Sequence, residues 1–263
     1  MQARLFYPIA ILLMAQQTHA ANEQQLSFWQ NRSRPADTIR TKSKSNIASI
    51  PTPRHYQRMA LPENSFGGWL RNLPLRPDKI IRLYNGKPRQ DQSIQHAIVD
   101  IPIGSEDILQ CADAIIYCRA RYLYHSNQMA SISFTDNRGK LYTLPVHAGE
   151  DAMQRFLRQV FSYCNTASLA KQMRPIRFSE LKPGDVLLRG GFPGHGALVA
   201  DMCENAKGEK LFLLMQGFMP AQDIHVLRNF YEPAISPWYR LDTSDTTIYT
   251  PTYWFKNTEA KRF

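Results

Sequence analysis

The sequence predicts an α+β chain. Two long stretches carry apolar residues at helical spacing, a block of short apolar runs follows them, and the two kinds of element segregate instead of alternating. In chain order, "LPENSFGGWL" offers Asn64 or Ser65 as the cap of one helical turn through Leu70. Ile80 to Tyr84 reads as a strand closed by the Asn85-Gly86 turn, and "HAIVDIPI" as a second strand. "SEDILQCADAIIYCRARYLYHSN" is the clearest helix, with Ile108, Ala112, Ile115, Arg119 and Tyr122 along one side. Ser105 or Asp107 is its expected cap, and Asp107 with Gln110 its capping box. "SISFTDNRGKLYTLPV" alternates about Asp136 to Gly139 and predicts a hairpin. "DAMQRFLRQVFSYCNTASLAKQM" predicts a second long helix that buries Met153, Phe156, Leu157, Val160, Phe161 and Cys164. Strands are expected over Asp185 to Leu188, Gly196 to Met202 and Leu211 to Gln216; apolar on both faces, the last two belong at the centre of a sheet. From Pro237 onward the chain is aromatic and extended.

The N-terminal region differs in character. Residues 1–20, with Arg4, an apolar stretch from Leu5 to Ala15 and small residues up to Ala20, read as a signal peptide, so an exported protein, periplasmic or secreted, is expected. That stretch is too short to span a bilayer, and no later one approaches the ~18 uninterrupted apolar residues of a transmembrane segment. Residues 21–60 hold Arg32, Arg34, Arg40, Lys42, Lys44, Arg54 and Arg58 against Glu23 and Asp37, and are broken by Pro35, Pro51 and Pro53. Such a stretch buries too little apolar surface to offset its ordering entropy and reads as a disordered tether. It is either an arm for an anionic envelope surface or a solvated linker. Residues 61–263 are then expected to form a single domain. Much of the net charge of +10 sits in the tether, and the rest of the chain lacks a basic patch interleaved with aromatics, so nucleic acid is not an expected partner. Cysteines Cys111, Cys118, Cys164 and Cys203 would meet an oxidising compartment. On one helix Cys111 and Cys118 stand ~10 Å apart, too far to bridge, so an oxidised pair would involve Cys164 or Cys203.

The stretch "LKPGDVLLRGGFPGHGALVAD" sets one histidine, His195, among glycines at the head of an apolar run. If that run pairs with Leu211 to Gln216 through the turn "ENAKGE", Gln216 falls opposite Ala197 or Val199 and can reach His195. Gly194 and Gly196 are expected to leave the ring approachable, and Gly191, Phe192 and Gly194 are the candidate substrate-binding residues. An alternative metal site would use His195, Asp201, Asp223 and His225, which share strand faces in pairs. Against it, Asp223 reads as a turn cap and His225 as a satisfied surface residue. Cys118 reads as packing, Cys164 and Cys203 as buried thiols or a disulfide, and Asp113 as solvated or salt-bridged. No HExxH, Gly-x-Ser-x-Gly elbow or Walker loop is present in the sequence, and no cofactor is expected.

The order of a cysteine-bearing helix, a "PGD" turn, a strand, a glycine-rich loop, a histidine-headed strand and a polar residue on the next strand resembles papain-like cysteine hydrolases of the NlpC and CHAP type. The resemblance implies Cys111 as nucleophile, His195 as general base and Gln216 as the residue orienting the imidazole. It also implies a Cys-bearing helix packed on a mostly antiparallel sheet. Those families place the cysteine at the first positions of its helix, whereas a helix starting near Ser105 sets Cys111 in the second turn. Over residues 61–263, "WLRNLPL", "LQCADAIIYCRARYLY", "NTASL", "GDVLLRGGFPGHGALVAD", "QGFMPAQDIHVLRN" and "SPWY" resemble the bacterial family of domain of unknown function 4846. That resemblance implies an exported single domain and carries no activity. Together the residues point to an exported cysteine hydrolase of amide bonds, as in cell-wall peptides. A non-catalytic module binding an anionic envelope component and a metal-dependent hydrolase are the alternatives.

Overall fold

The computed structural model describes residues 45–263. The expected signal peptide, and the tether up to residue 44, lie outside the described residues. From Ser45 the chain is packed, which shortens the expected tether. Asn46 caps a 3-10 turn over Ile47–Ser49 by accepting from the Ser49 N–H at 3.1 Å. Ile47 and Ile50 are buried, and β1 (Tyr56–Arg58) pairs antiparallel with the far end of β7 (His195–Asn205). The cause is long-range: Arg58 Nε donates at 2.7 Å to Asp201, 143 positions away.

The main sheet runs β2 (Gln95–Ile98), β9 (His225–Leu227), β8 (Lys210–Gln216), β7, β6 (Val186–Arg189), β13 (Ala260–Arg262), β5 (Arg174–Pro175). β1 adds to β7 and β10 (Trp238–Arg240) to β8, and each of these pairings is antiparallel. β3 (Ser133–Thr135) with β4 (Leu141–Thr143), and β11 (Thr247–Tyr249) with β12 (Trp254–Lys256), form separate hairpins. The helices are α1 (Phe66–Arg71), α2 (Cys111–His125), α3 (Glu150–Tyr163) and α4 (Thr166–Gln172).

Alternation along the central strands explains why both faces read as apolar. Val186, Leu188, Leu198, Leu213 and Met215 join the core built with the helices. Leu187, Ala197, Val199, Phe212 and Leu214 join a second core with Ile248 and Phe255 of the C-terminal hairpin. The sheet is thus covered by helices on one side and by β11 and β12 on the other, a mixed α and β architecture.

Three expected elements differ. Ile80 to Tyr84 forms no strand, only the isolated bridges Arg82↔Pro88 and Leu83↔Gln222; the Arg82 N–H goes to the Asp223 carboxylate at 2.7 Å instead of a ladder partner. The second long helix is two, because Cys164 is extended and the Asn165 side chain accepts from the N–H groups of Ala167 and Ser168 to start α4. The third difference, the start of α2, belongs to the site. All four cysteines are free thiols in buried positions, and no helix among the described residues is long and apolar enough to cross a membrane.

Candidate active site

Helix α2 begins at Cys111, not near Ser105. The expected cap, Asp107, is engaged elsewhere: its Oδ1 accepts from the Ala221 N–H at 2.6 Å and from Gln110 Nε2 at 3.0 Å. Residues 106–110 form tight turns, with the Ile108 N–H on the Glu106 carbonyl and the Gln110 N–H on the Ile108 carbonyl. Asp113 does the capping, its Oδ2 accepting from the Gln110 N–H at 3.0 Å. Cys111 is therefore the first helical residue, where unsatisfied N–H groups gather. Burial raises its thiol, and the Ala112, Cys111 and Gly196 N–H groups pull it downward.

Two glycines let α2 press onto the sheet. A Cβ at Gly196 would stand 2.6 Å from Ile115 Cδ1, and one at Gly217 would stand 2.6 Å from the Gln110 carbonyl oxygen and 3.1 Å from Ala114 Cβ. The carbonyl is backbone and cannot give way, so Gly217→Ala should cost about 1–3 kcal/mol and push the start of α2 off the sheet. A denaturant midpoint unchanged from wild type would contradict that contact.

On the sheet, β7 and β8 pair with Leu198↔Met215 in register, which sets Gln216 at the level of Ala197. The expected reach of Gln216 to His195 is present: His195 Nε2 and Gln216 Oε1 are 2.7 Å apart. The amide nitrogen of Gln216 donates to Thr252 Oγ1 at 3.0 Å and faces His225 Nε2 at 3.4 Å. His225 Nδ1 is 2.9 Å from the Asp223 carbonyl oxygen. His195 Nδ1 has no hydrogen bond among the described residues, and none joins the ring to the Cys111 thiol.

The ring is not open to approach, contrary to the expectation from its glycines. Phe218, Tyr253 and Phe255 surround it at centroid distances of 5.2, 4.9 and 5.8 Å, and it is 2 % exposed. The glycines serve packing: Gly196 admits Ile115, and a Cβ at Gly194 would meet Thr166 Oγ1 and the carbonyls of Gly191 and Arg189. Of the expected substrate residues, Phe192 is 81 % exposed and projects from the loop before His195.

Burial keeps both the Cys111 thiol and the His195 ring neutral. It pushes the Cys111 thiol up to about 11, with Asp113 adding and the surrounding N–H groups opposing. It lowers His195 to about 4, against the Gln216 hydrogen bond, and His225 to about 4, against the Asp223 carbonyl and with Arg89 and His195 adding. Asp113 is buried with Oδ1 unpaired and its carboxyl raised well above its usual range by desolvation, not solvated or salt-bridged as expected.

A stability consequence follows. From pH 6.5 down to about 4 the unfolded chain binds protons at His195 and His225 that the folded chain refuses. Each therefore removes about 1.4 kcal/mol of stability per pH unit on acidification. Asp113, whose carboxyl burial raises in the folded chain, acts oppositely. His96, also lowered to about 4 by burial with Lys79 and Arg228 adding, acts with His195 and His225, and three histidines against one carboxyl leave a net loss of stability, read as a falling melting midpoint. A midpoint that rises across this range would contradict the burial of the pair.

The alternative metal site is not assembled. Asp201 is held by Arg58 and Arg71 at 2.7 and 2.6 Å, Asp223 by Arg76 at 2.8 Å, and His225 is fully buried instead of lying on the surface. No group of three metal-binding side chains exists among the described residues. Sequence reasoning missed the roles of Thr252, Phe218, Tyr253 and His225 around His195. The only sequence signal was the polar pair Gln216 and His225 in otherwise apolar strands.

A family model described as "Domain of unknown function (4846)" matches residues 47–143 and 142–262. No curated protein and no solved structure matches the chain.

Proposed function

The chain belongs to the family of domain of unknown function 4846, and we propose that it is an exported cysteine hydrolase acting on amide bonds such as those of cell-wall peptides. In this reading the arrangement is papain-like, and residues 45–263 form one domain behind a signal peptide ending near Ala20 and a short basic tether. One observation carries it: a cysteine is the first residue of α2, packed on the sheet where His195 has Nε2 bound to Gln216 at 2.7 Å and Nδ1 free.

Cys111 Sγ attacks the amide carbonyl carbon as its proton passes to His195 Nδ1, forming the S–C bond. The developing oxyanion is stabilised by N–H groups at the start of α2. Collapse breaks the C–N bond, and His195 Nδ1–H protonates the departing amine. Water, deprotonated by His195, then hydrolyses the thioester. A base lowered to about 4 takes the proton of a thiol raised to about 11 only weakly, so relief of their burial must accompany the transfer. Substrate displaces the aromatic cover and brings thiol and ring together.

The test is incubation of the purified protein with purified peptidoglycan, reading new amino termini by mass spectrometry. Wild type should release them and Cys111→Ala should not. No release by wild type, or equal release by both, overturns the proposal. The occluded thiol, pushed up to about 11, favours a second reading as a non-catalytic envelope-binding module. That reading predicts sedimentation with peptidoglycan without cleavage, unchanged in Cys111→Ala.

A further inference from the structure

We infer that His225 is a positioning residue for His195, fixing through the Gln216 amide which nitrogen of the His195 ring carries the proton. The catalytic consequence rests on the hydrolase reading; the geometry does not.

The argument starts at the one group whose role is unambiguous. The Asp223 carbonyl oxygen can only accept, so His225 Nδ1, 2.9 Å away, must carry a proton. In the neutral imidazole Nε2 is then an acceptor, and its neighbour at 3.4 Å must be the NH2 end of Gln216. The oxygen end of Gln216 consequently faces His195, and His195 Nε2, 2.7 Å from it, must donate. That leaves the Nδ1 lone pair of His195 free, the form a base needs. Thr252 cannot make this selection, because its hydroxyl, 3.0 Å from the amide, both donates and accepts.

The starting point is itself held in place. The Asp223 N–H donates to the Arg82 carbonyl at 2.9 Å, and its carboxylate takes Arg76 Nη1 at 2.8 Å and the Arg82 N–H at 2.7 Å. His225 is 0 % exposed and Gln216 2 % exposed, so water has little access to compete for the amide. β8 and β9 pair with Gln216↔His225 in register, which seats the two side chains side by side. Were the amide reversed, its NH2 would face His195 Nε2 and drive the proton to Nδ1, removing the lone pair. A histidine held in the wrong tautomer costs a triad enzyme up to about 10^4 in kcat.

The experiment is nitrogen-15 NMR of the imidazole rings in histidine-labelled protein, with His195 assigned from its loss in His195→Gln. Wild type should show His195 protonated on Nε2 alone and His225 on Nδ1 alone. In His225→Phe the Gln216 amide loses its selector, so His195 should show both tautomers, and hydrolysis should lose kcat with KM held. In Thr252→Val the single Nε2–H pattern should persist. Adding Gln216→Glu to His225→Phe should restore a single Nε2–H tautomer, because an ionised carboxylate can only accept. A wild-type His195 protonated on Nδ1, a wild-type His225 protonated on Nε2, or a single Nε2–H pattern surviving in His225→Phe each overturns the inference. His225→Leu takes the place of the Phe variant if that ring prevents folding. Tautomers are read without turnover, so an inactive protein with the wild-type pattern counts against the hydrolase alone.

Discussion

Replacing Asp201 with alanine should lower stability by about 3–5 kcal/mol, the largest single loss expected outside the apolar core. Its carboxylate is fully buried and accepts from Arg58 Nε at 2.7 Å, Arg71 Nε at 2.8 Å and the Met202 N–H at 2.8 Å. Arg58 also donates to the carbonyls of Ile47 and Ile50, and Arg71 to that of Met59. One anion thus joins the N-terminal segment, α1 and the bulged middle of β7. Its removal leaves two half-buried guanidiniums without a counter-charge. A denaturation midpoint corresponding to a loss under about 1 kcal/mol would show that the pair is solvated and that residues 45–58 are held by packing alone.

Under the proposed function, replacing His195 with alanine should reduce kcat for amide hydrolysis by about 10^6-fold, as loss of a base does where nucleophile and base act as a unit. The Cys111→Ala loss should be of similar size, and the double variant no worse than either single one. KM should change little, because neither group is assigned to binding. The wild-type rate should fall on the acid side as His195 is protonated near pH 4, since the imidazolium cannot take the thiol proton. A fall of only a few-fold in His195→Ala would separate this histidine from the chemistry.

The sequence made the central hairpin legible. A polar turn between two runs apolar on both faces fixed the register, and with it the reach of Gln216 to His195. Local signals misled where a distant partner took over. Asp107 looks like a helix cap, but the Ala221 N–H claims it at 2.6 Å, so α2 starts later and Cys111 gains the first position. The "YCNTASL" stretch has helical periodicity, yet the Asn165 side chain starts a new helix there. Residues 45–60 have the composition of a tether, and composition cannot register that Arg58 meets a buried aspartate across the chain. His225 looked like a surface residue because its burial depends on β9 lying between β2 and β8, a non-local fact.

The most direct measurement of whether Cys111 and His195 act together is covalent trapping at neutral pH with a peptidyl electrophile, the modified cysteine being located by mass spectrometry of proteolytic fragments. A single adduct on Cys111 that disappears in His195→Ala is the predicted result. Adducts on Cys118, Cys164 or Cys203 instead, or labelling of Cys111 that is indifferent to His195, would contradict it.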